Sequence, residues 1–133
     1  MARFLLDSTV LIDHLRGRRE VIERIEALGQ EGHQLGICAV NVAEVLSGML
    51  EHERRPTERL LSSLYLFEIT YRIARRAGEL QADLRRQGYK GDLADVLIGA
   101  VVLMNSATLL TANVRDFPLP GLKVERLPAA GRR

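Results

Sequence analysis

Short apolar runs alternate with longer segments of helical periodicity along the chain. Apolar runs of about three or four residues favour buried strands, whereas apolar positions spaced three and four residues apart favour amphipathic helices. The predicted strands are Phe4–Leu6, Leu35–Cys38, Leu66–Ile69, Thr108–Thr111 and Val124–Leu127. The predicted helices are Val10–Arg16, Arg19–Leu28, Val42–Leu50, a segment opened by Pro56, Tyr71–Gln87 and Ala94–Met104. This alternation predicts an α/β sandwich around a central, mainly parallel sheet of four to five strands.

The size and composition of the chain favour a single folded domain. Its 133 residues are 47% hydrophobic and 27% charged, as in an ordinary globular protein. Two domains would leave only about 65 residues for each core. We expect residues 1–127 to form the domain and residues 128–133 to form a flexible tail.

The charge of the chain is compatible with a polyanionic partner without requiring one. The formal net charge is +2, and Lys90 and Lys123 are the only lysines among 19 basic residues. Arginine matches phosphate oxygens better than lysine does, although a GC-rich genome would also enrich arginine.

No segment of the sequence predicts export or membrane insertion. Phe4–Leu6 is too short for the core of a signal peptide, and Val96–Met104 is too short to span a bilayer. Cys38 is the only cysteine, so an intrachain disulfide is impossible. We therefore expect a cytoplasmic protein with no membrane partner.

Four acidic residues follow predicted strands or begin the helices beside them. Asp7 directly follows the first strand, Glu44 lies in the first turn of the helix after the second, and Asp116 lies a few residues past the fourth. Asp95 begins the helix that leads into the fourth strand. Because ligands bind at the carboxyl ends of parallel strands, we expect all four carboxylates at that edge of the sheet.

Each acid also has a simpler interpretation as a helix cap or a turn residue. Asp7 could cap the following helix, and Asn41 with Glu44 loosely matches a capping box. Asp116 could form a turn. Asp95 argues more strongly for a site, because the rest of its helix is apolar and no basic residue lies in the neighbouring turns. A carboxylate is costly to bury without a partner, and a metal ion would supply one.

Clustered carboxylates indicate a divalent cation and phosphodiester chemistry. They repel one another, and Mg²⁺ or Mn²⁺ relieves that repulsion through oxygen ligands. Such ions polarise a phosphodiester and lower the pKa of bound water, so phosphodiester hydrolysis is the expected reaction, with one ion or two. Thr9, Thr111 and Asn113 flank the acids and are expected either to orient ligands or to form local turn hydrogen bonds.

Four motifs, in order along the chain, resemble those of PIN-domain nucleases. They are LLDSTVLID at residues 5–13, NVAE at 41–44, GDLADVLIGA at 91–100 and ATLLTANVRDF at 107–117, which PGLKV at 120–124 continues. The resemblance runs from about Phe4 to Leu127 and implies the PIN-like three-layer sandwich. The acidic positions of the family fall on Asp7, Glu44, Asp95 and Asp116.

Within that family, the length and the lack of appended domains resemble the toxins of bacterial VapBC toxin–antitoxin pairs. This resemblance implies a Mg²⁺- or Mn²⁺-dependent endoribonuclease that forms a homodimer. It also implies inhibition by a cognate antitoxin whose C-terminal segment occupies the acidic groove. Arg16, Arg18, Arg19 and Arg115 are expected to guide RNA toward the acids, with solvated surface charge as the alternative.

Three other functions fit parts of the pattern. A DNA-directed nuclease of the same fold stays open, because contacts to the ribose 2′-OH cannot be read from these motifs. A signalling receiver domain needs a second acid beside Asp7 and a lysine directly after the fourth strand, and Lys90 and Lys123 both lie elsewhere. A binding-only PIN domain would be free to lose its acids, and this chain has them all.

Overall fold

The computed structural model describes residues 1–128 as six α-helices, five strands and two short 3₁₀ turns. The strands are β1 Arg3–Leu6, β2 Gln34–Ile37, β3 Tyr65–Leu66, β4 Thr108–Thr111 and β5 Lys123–Arg126. The helices are α1 Ser8–Leu15, α2 Arg19–Gln30, α3 Ala39–Gly48, α4 Arg54–Ser62, α5 Tyr71–Arg86 and α6 Leu93–Met104. The 3₁₀ turns are Glu51–Glu53 and Val114–Asp116. Residues 129–133 of the predicted tail lie outside the described residues, so the flexible tail stays a prediction.

The strands form one sheet in the order β3-β2-β1-β4-β5, and every described strand pair is parallel. This arrangement confirms the predicted α/β sandwich. From β1 the chain adds β2 and β3 on one side, and then returns to add β4 and β5 on the other. The carboxyl ends of β1 and β4 are therefore neighbours at a switch point, where α/β sheets bind ligands.

Two apolar clusters, one on each face of the sheet, give the protein three layers. Successive side chains of a strand point to opposite faces. Leu5 therefore packs in the cluster that contains α5 and α6, while Leu6 packs in the cluster that contains α1, α2 and α3. The same alternation separates Leu109 from Leu110 in β4, and all four leucines are fully buried. The central strands β1 and β4 are thus held rigidly up to the residues that follow them.

Helix α6 is apolar on nearly every side and is buried, as that pattern predicts. Val96 and Ile98 are almost fully buried. A Cβ at Gly99 would overlap the end of the Leu119 side chain, so the glycine lets Leu119 pack closely against the helix. In the part of the chain that the structure describes, none of the helices is both long enough and apolar enough to cross a lipid bilayer.

The third predicted strand is misplaced. Strand β3 is only Tyr65–Leu66, whereas the apolar pattern predicts Leu66–Ile69. Both residues of β3 are exposed. Phe67 and Ile69, which produce the apolar pattern, instead pack in the cluster that contains α5 and α6. The apolar run therefore marks core packing after the strand and not the strand itself.

Candidate active site

Asp7 follows β1 at the switch point, and hydrogen bonds fix both its backbone and its carboxylate. Its backbone N–H donates to the carbonyl oxygen of Leu110 in β4 at 2.9 Å. Its carboxylate oxygen Oδ2 accepts from the hydroxyls of Thr111 at 2.7 Å and Thr9 at 3.1 Å. Burial raises the pKa of Asp7, while these hydroxyls and the backbone N–H of Ser8 act in the opposite direction. The carboxylate is thus held in place despite an unfavourable environment.

The two threonines also accept backbone hydrogen bonds, and their role in orienting a metal ligand stays a prediction. Oγ1 of Thr9 also accepts the backbone N–H of Ala112 at 3.3 Å, and Oγ1 of Thr111 accepts that of Asn113 at 3.0 Å. Each hydroxyl therefore connects the segment after β4 to Asp7. The side chain of Asn113 is exposed and has no hydrogen bond within the described chain, so its orienting role stays a prediction.

Glu44 lies in the second turn of α3, so its predicted place in the first turn is wrong. The helix begins at Ala39 instead of Val42, because Oδ1 of Asn41 accepts the backbone N–H of Cys38 at 2.9 Å. A capping box is present, but Asn41 is its third helical residue and not its cap. In this helix Glu44 faces Ser8, which directly follows Asp7.

A short chain of hydrogen bonds connects Asn41 to Glu44 through Ser8. Nδ2 of Asn41 donates to Oγ of Ser8 at 3.2 Å, and Oγ of Ser8 donates to Oε1 of Glu44 at 2.6 Å. Asn41 and Ser8 are buried, whereas Glu44 is exposed. A buried amide therefore orients an exposed carboxylate through the serine that follows Asp7. The sequence interpretation missed this function of both residues.

Asp95, the third residue of α6, has the largest pKa shift among the acids. Burial raises its pKa from 3.8 to about 7, with further contributions from the negative charges of Asp116, Asp7, Glu44 and Asp92, in that order. No side chain in residues 1–128 donates a hydrogen bond to its carboxylate. The other three predicted acids therefore lie within electrostatic reach of Asp95.

Two loop residues complete the group of acids. Asp116 is exposed in the second 3₁₀ turn, and its charge raises the pKa of both Asp7 and Asp95. Asp92 directly precedes α6, and its side chain makes no capping hydrogen bond there. Its place three residues before Asp95 was the available signal, but that spacing also fits a simple cap. We call the following residues the acidic cluster: Asp7, Glu44, Asp92, Asp95 and Asp116.

Tyr89 borders the acidic cluster and was also missed by the sequence interpretation. Its hydroxyl donates to the backbone carbonyl oxygen of Asp116 at 3.2 Å. Burial raises the pKa of Tyr89, and the charges of Asp95, Asp116 and Asp92 raise it further. The phenol is therefore a neutral neighbour of three carboxylates.

Of the four arginines predicted to guide RNA, one lies beside the acidic cluster and three lie elsewhere. Arg115 is exposed and directly precedes Asp116. Arg16, Arg18 and Arg19 lie where α1 ends and α2 begins, at the opposite end of α1 from β1. Among the described residues, no hydrogen bond or ion pair connects these three arginines to the acidic cluster.

The donor chemistry of the acidic cluster fits a hard divalent cation. All its side-chain donors are carboxylate oxygens, which Mg²⁺ and Mn²⁺ prefer. A cation would also offset the burial and repulsion that raise the pKa of Asp95. In the arrangement of residues 1–128, no three Asp, Glu, His or Cys side chains converge closely enough to coordinate one ion. One or two of these carboxylates, with water as the remaining ligands, would be enough to hold such an ion.

Both the sequence and the fold of this chain match known proteins. Residues 4–118 match the family described as PIN domain. Ribonuclease VapC10 of Mycobacterium tuberculosis is 39% identical over 115 residues, which are 86% of each chain. A toxin–antitoxin complex from Klebsiella pneumoniae contains a chain of 31% identity and a TM-score of 0.72, covering 96% of this chain and 100% of that one.

A structure of VapBC2 from Rickettsia felis bound to a promoter DNA fragment has the same fold. It matches with a TM-score of 0.85 at 20% identity, over 94% of this chain and 98% of that one. The family match covers most of the chain, and the sequence relatives align over nearly their whole length. The chain therefore belongs to the PIN-domain family and, within that family, to the VapC group.

Proposed function

We propose that this protein is a divalent-metal-dependent endoribonuclease that acts as the toxin of a toxin–antitoxin pair. The acidic cluster carries the proposal, because carboxylates from the ends of β1 and β4 and from α3 and α6 share one edge of the sheet. Folding alone does not favour such a group, since the neighbouring negative charges raise the pKa of Asp95. Membership of the VapC group directs this cluster toward RNA, because similar proteins are named ribonucleases.

Asp7, Glu44, Asp95 and Asp116 are the groups that we propose to hold Mg²⁺ or Mn²⁺ and to act in catalysis. When bound, such an ion polarises a phosphodiester, activates water and stabilises the leaving oxygen. Thr111 engages Oδ2 of Asp7, while Oδ1 receives no side-chain donor from residues 1–128. Because the pKa of Asp95 is about 7, cation binding below that pH should release the proton of this carboxyl group.

RNA is the proposed substrate, and an antitoxin is the proposed partner. Arg115 is the proposed guide for the RNA backbone, because it is exposed beside Asp116. Arg16, Arg18 and Arg19 stay in that proposal without a described contact to the acidic cluster. A cationic side chain of the antitoxin would pair with the same carboxylates and so block the cation site. We further propose a homodimer in the cytoplasm, where both RNA and antitoxin are available.

Cleavage assays on matched single-stranded RNA and DNA test this function. With Mg²⁺ or Mn²⁺, the wild type should cut RNA and leave DNA intact, and EDTA should stop the reaction. Asp95→Asn should lower the rate more than about 100-fold. This loss is larger than the loss expected when a residue that only hydrogen-bonds to a metal ligand is removed. Asp83→Asn is the matched control, because Asp83 pairs with Arg86 on the exposed face of α5.

Two results would overturn separate parts of the proposal. Equal cleavage of DNA would favour the DNA-directed alternative and exclude a ribose-specific site. An Asp95→Asn variant that cut RNA as fast as the wild type would remove Asp95 from the catalytic set. The antitoxin is tested separately. The product of a neighbouring short reading frame should co-purify with this protein, and the complex should no longer cleave RNA.

A further inference from the structure

Tyr89 connects two loops that carry different acids of the acidic cluster. It lies between α5 and α6, on the loop that ends at Asp92 and leads to Asp95. Its hydroxyl donates at 3.2 Å to the backbone carbonyl oxygen of Asp116, which is 27 residues further along the chain. Because the bond goes to the backbone, it fixes the loop and leaves the carboxylate of Asp116 free to bind.

The loop that carries Tyr89 is itself anchored to α5. Nε2 of Gln81 donates to the carbonyl oxygen of Gly91 at 3.1 Å, and Gln81 is only 4% exposed. Gly91 directly precedes Asp92, which begins the approach to α6. The loop that carries Tyr89 is therefore fixed to α5, and the Tyr89 hydroxyl fixes the Asp116 loop to it.

Gly91 is needed because the ring of Tyr89 lies directly over its backbone. A Cβ at Gly91 would overlap the hydroxyl and the neighbouring ring carbons of Tyr89. The backbone of Gly91 does not have the positive φ that favours glycine, so close approach is the reason for its small size. Replacing Gly91 by Ala would push the ring aside and break the bond to Asp116.

We propose that Tyr89 is a positioning residue that holds the Asp116 loop at a fixed distance from Asp92 and Asp95. Like charges on the two loops repel one another, and one neutral hydrogen bond opposes their separation before a cation binds. By keeping the two loops together, the Tyr89 hydrogen bond should therefore increase the affinity of the protein for a divalent cation. This inference rests on the proposed function only in taking the acidic cluster as the cation site.

Two substitutions break the same hydrogen bond without removing an acid. Tyr89→Phe deletes the hydroxyl, and Gly91→Ala displaces it. Tyr71→Phe is the matched control, since Tyr71 is 77% exposed and its hydroxyl accepts a hydrogen bond from Arg75 on α5. Mn²⁺ affinity is measured by calorimetry without RNA, and amide hydrogen exchange is measured over residues 113–117.

Tyr89→Phe and Gly91→Ala should each weaken Mn²⁺ binding about 2- to 10-fold, the range expected for one neutral hydrogen bond. Both should accelerate amide exchange in residues 113–117, while Tyr71→Phe should change neither quantity. The double variant should bind Mn²⁺ no more weakly than the worse single variant, because both changes remove one interaction.

Unchanged Mn²⁺ affinity would overturn the proposal, even if exchange increased, since Tyr89 would then stabilise only the loop. Weaker affinity without faster exchange would also overturn it, since the two loops would not be coupled. Additive losses in the double variant would show that Gly91→Ala acts by another route and would contradict the shared mechanism. A wild type that bound Mn²⁺ but cut no RNA would overturn the proposed function and leave this inference standing, whereas no Mn²⁺ binding would overturn both.

Discussion

The four predicted acids of the acidic cluster divide into two halves that the fold organises differently. The anchored half, Asp7 and Glu44, accepts hydrogen bonds from hydroxyl groups at 2.7 Å and 2.6 Å. The unanchored half, Asp95 and Asp116, receives no hydrogen bond to its carboxylates from the described residues. Burial and repulsion raise the pKa of Asp95 to about 7. Hydroxyl donors therefore hold the carboxylates of the anchored half, whereas no described donor offsets the burial and repulsion in the unanchored half.

This difference indicates where a cation contributes most. The anchored half is built on β1 and on a segment of α3 that a buried amide supports, so neutral groups fix it in advance. The unanchored half lies at the beginning of α6 and on an exposed turn. There the dipole of α6 and the Tyr89 bond are the described features that oppose repulsion. A bound cation should therefore order mainly the unanchored half.

Removing the buried hydroxyl that donates to Asp7 should give the largest change that leaves every acid in place. Thr111→Val deletes the fully buried hydroxyl that donates to Asp7 at 2.7 Å and nearly preserves the side-chain shape. We expect a loss of about 10- to 100-fold in kcat or cation affinity, as for other groups that orient metal ligands. Initial rates across a Mn²⁺ titration separate the two quantities.

Thr108→Val is the matched control, because Thr108 begins the same strand at the end away from the acids. The rate of this half-buried variant should stay within about twofold of the wild type, because it changes no group near the acids. If Thr111→Val behaved like this control, Asp7 would not depend on its donors. The distinction between an anchored and an unanchored half would then fail.

Ser8→Ala should have a smaller effect on the same half. Ser8 donates to Glu44 at 2.6 Å, but Glu44 is exposed and water can replace part of the lost bond. We expect cation affinity to fall about 2- to 10-fold. Ser47→Ala is the control, since its hydroxyl donates to the backbone carbonyl of Glu44 and not to the carboxylate. Equal affinities of the two variants would show that orientation of Glu44 is unimportant.

The elements that place Asp7 and Asp95 were predictable, because the apolar pattern of each segment matches the residues that the fold buries. The apolar run before Asp7 is β1, and the nearly uninterrupted apolar stretch after Asp95 is a buried helix. Strand β3 was misplaced because Phe67 and Ile69 are apolar for core packing and not for strand pairing. A pattern of apolar residues reports burial, and it identifies a strand only where burial and pairing coincide.

The hydrogen bonds of the site were not predictable from local pattern. The bond from Asn41 to Ser8 joins residues 33 positions apart, and the bond from Tyr89 to Asp116 joins residues 27 positions apart. Such contacts depend on helix rotation and loop path, which the sequence interpretation did not resolve. The early start of α3 is one example, since its cap position holds Cys38, and the buried amide of Asn41 accepts the backbone N–H of that residue.

The smallest predicted effect concerns the stability of the cation-free protein. Asp95→Asn removes a carboxylate whose ionisation the fold opposes, so it should stabilise the protein while abolishing cleavage. Because Asp95 is partly open to water, we discount the gain and expect Tm to rise by roughly 3–6 °C at pH 8 in EDTA. Differential scanning calorimetry measures this change, and Asp83→Asn controls for the loss of an exposed carboxylate.

The gain should depend on pH with a defined sign. The folded pKa of Asp95 is about 7 and its ordinary value is 3.8, so the unfolded chain loses this proton first as pH rises. Ionisation therefore lowers the stability of the wild type progressively between about pH 4 and pH 7, and Asp95→Asn escapes this loss. The Tm difference should be largest at pH 8, smaller at pH 6, and smallest near pH 4. The lowered pKa of His14 affects both proteins equally and cancels in the difference. A Tm difference that stayed constant from pH 4 to pH 8 would show that Asp95 is ionised as readily in the folded protein as in water, and the unanchored half would then need no cation.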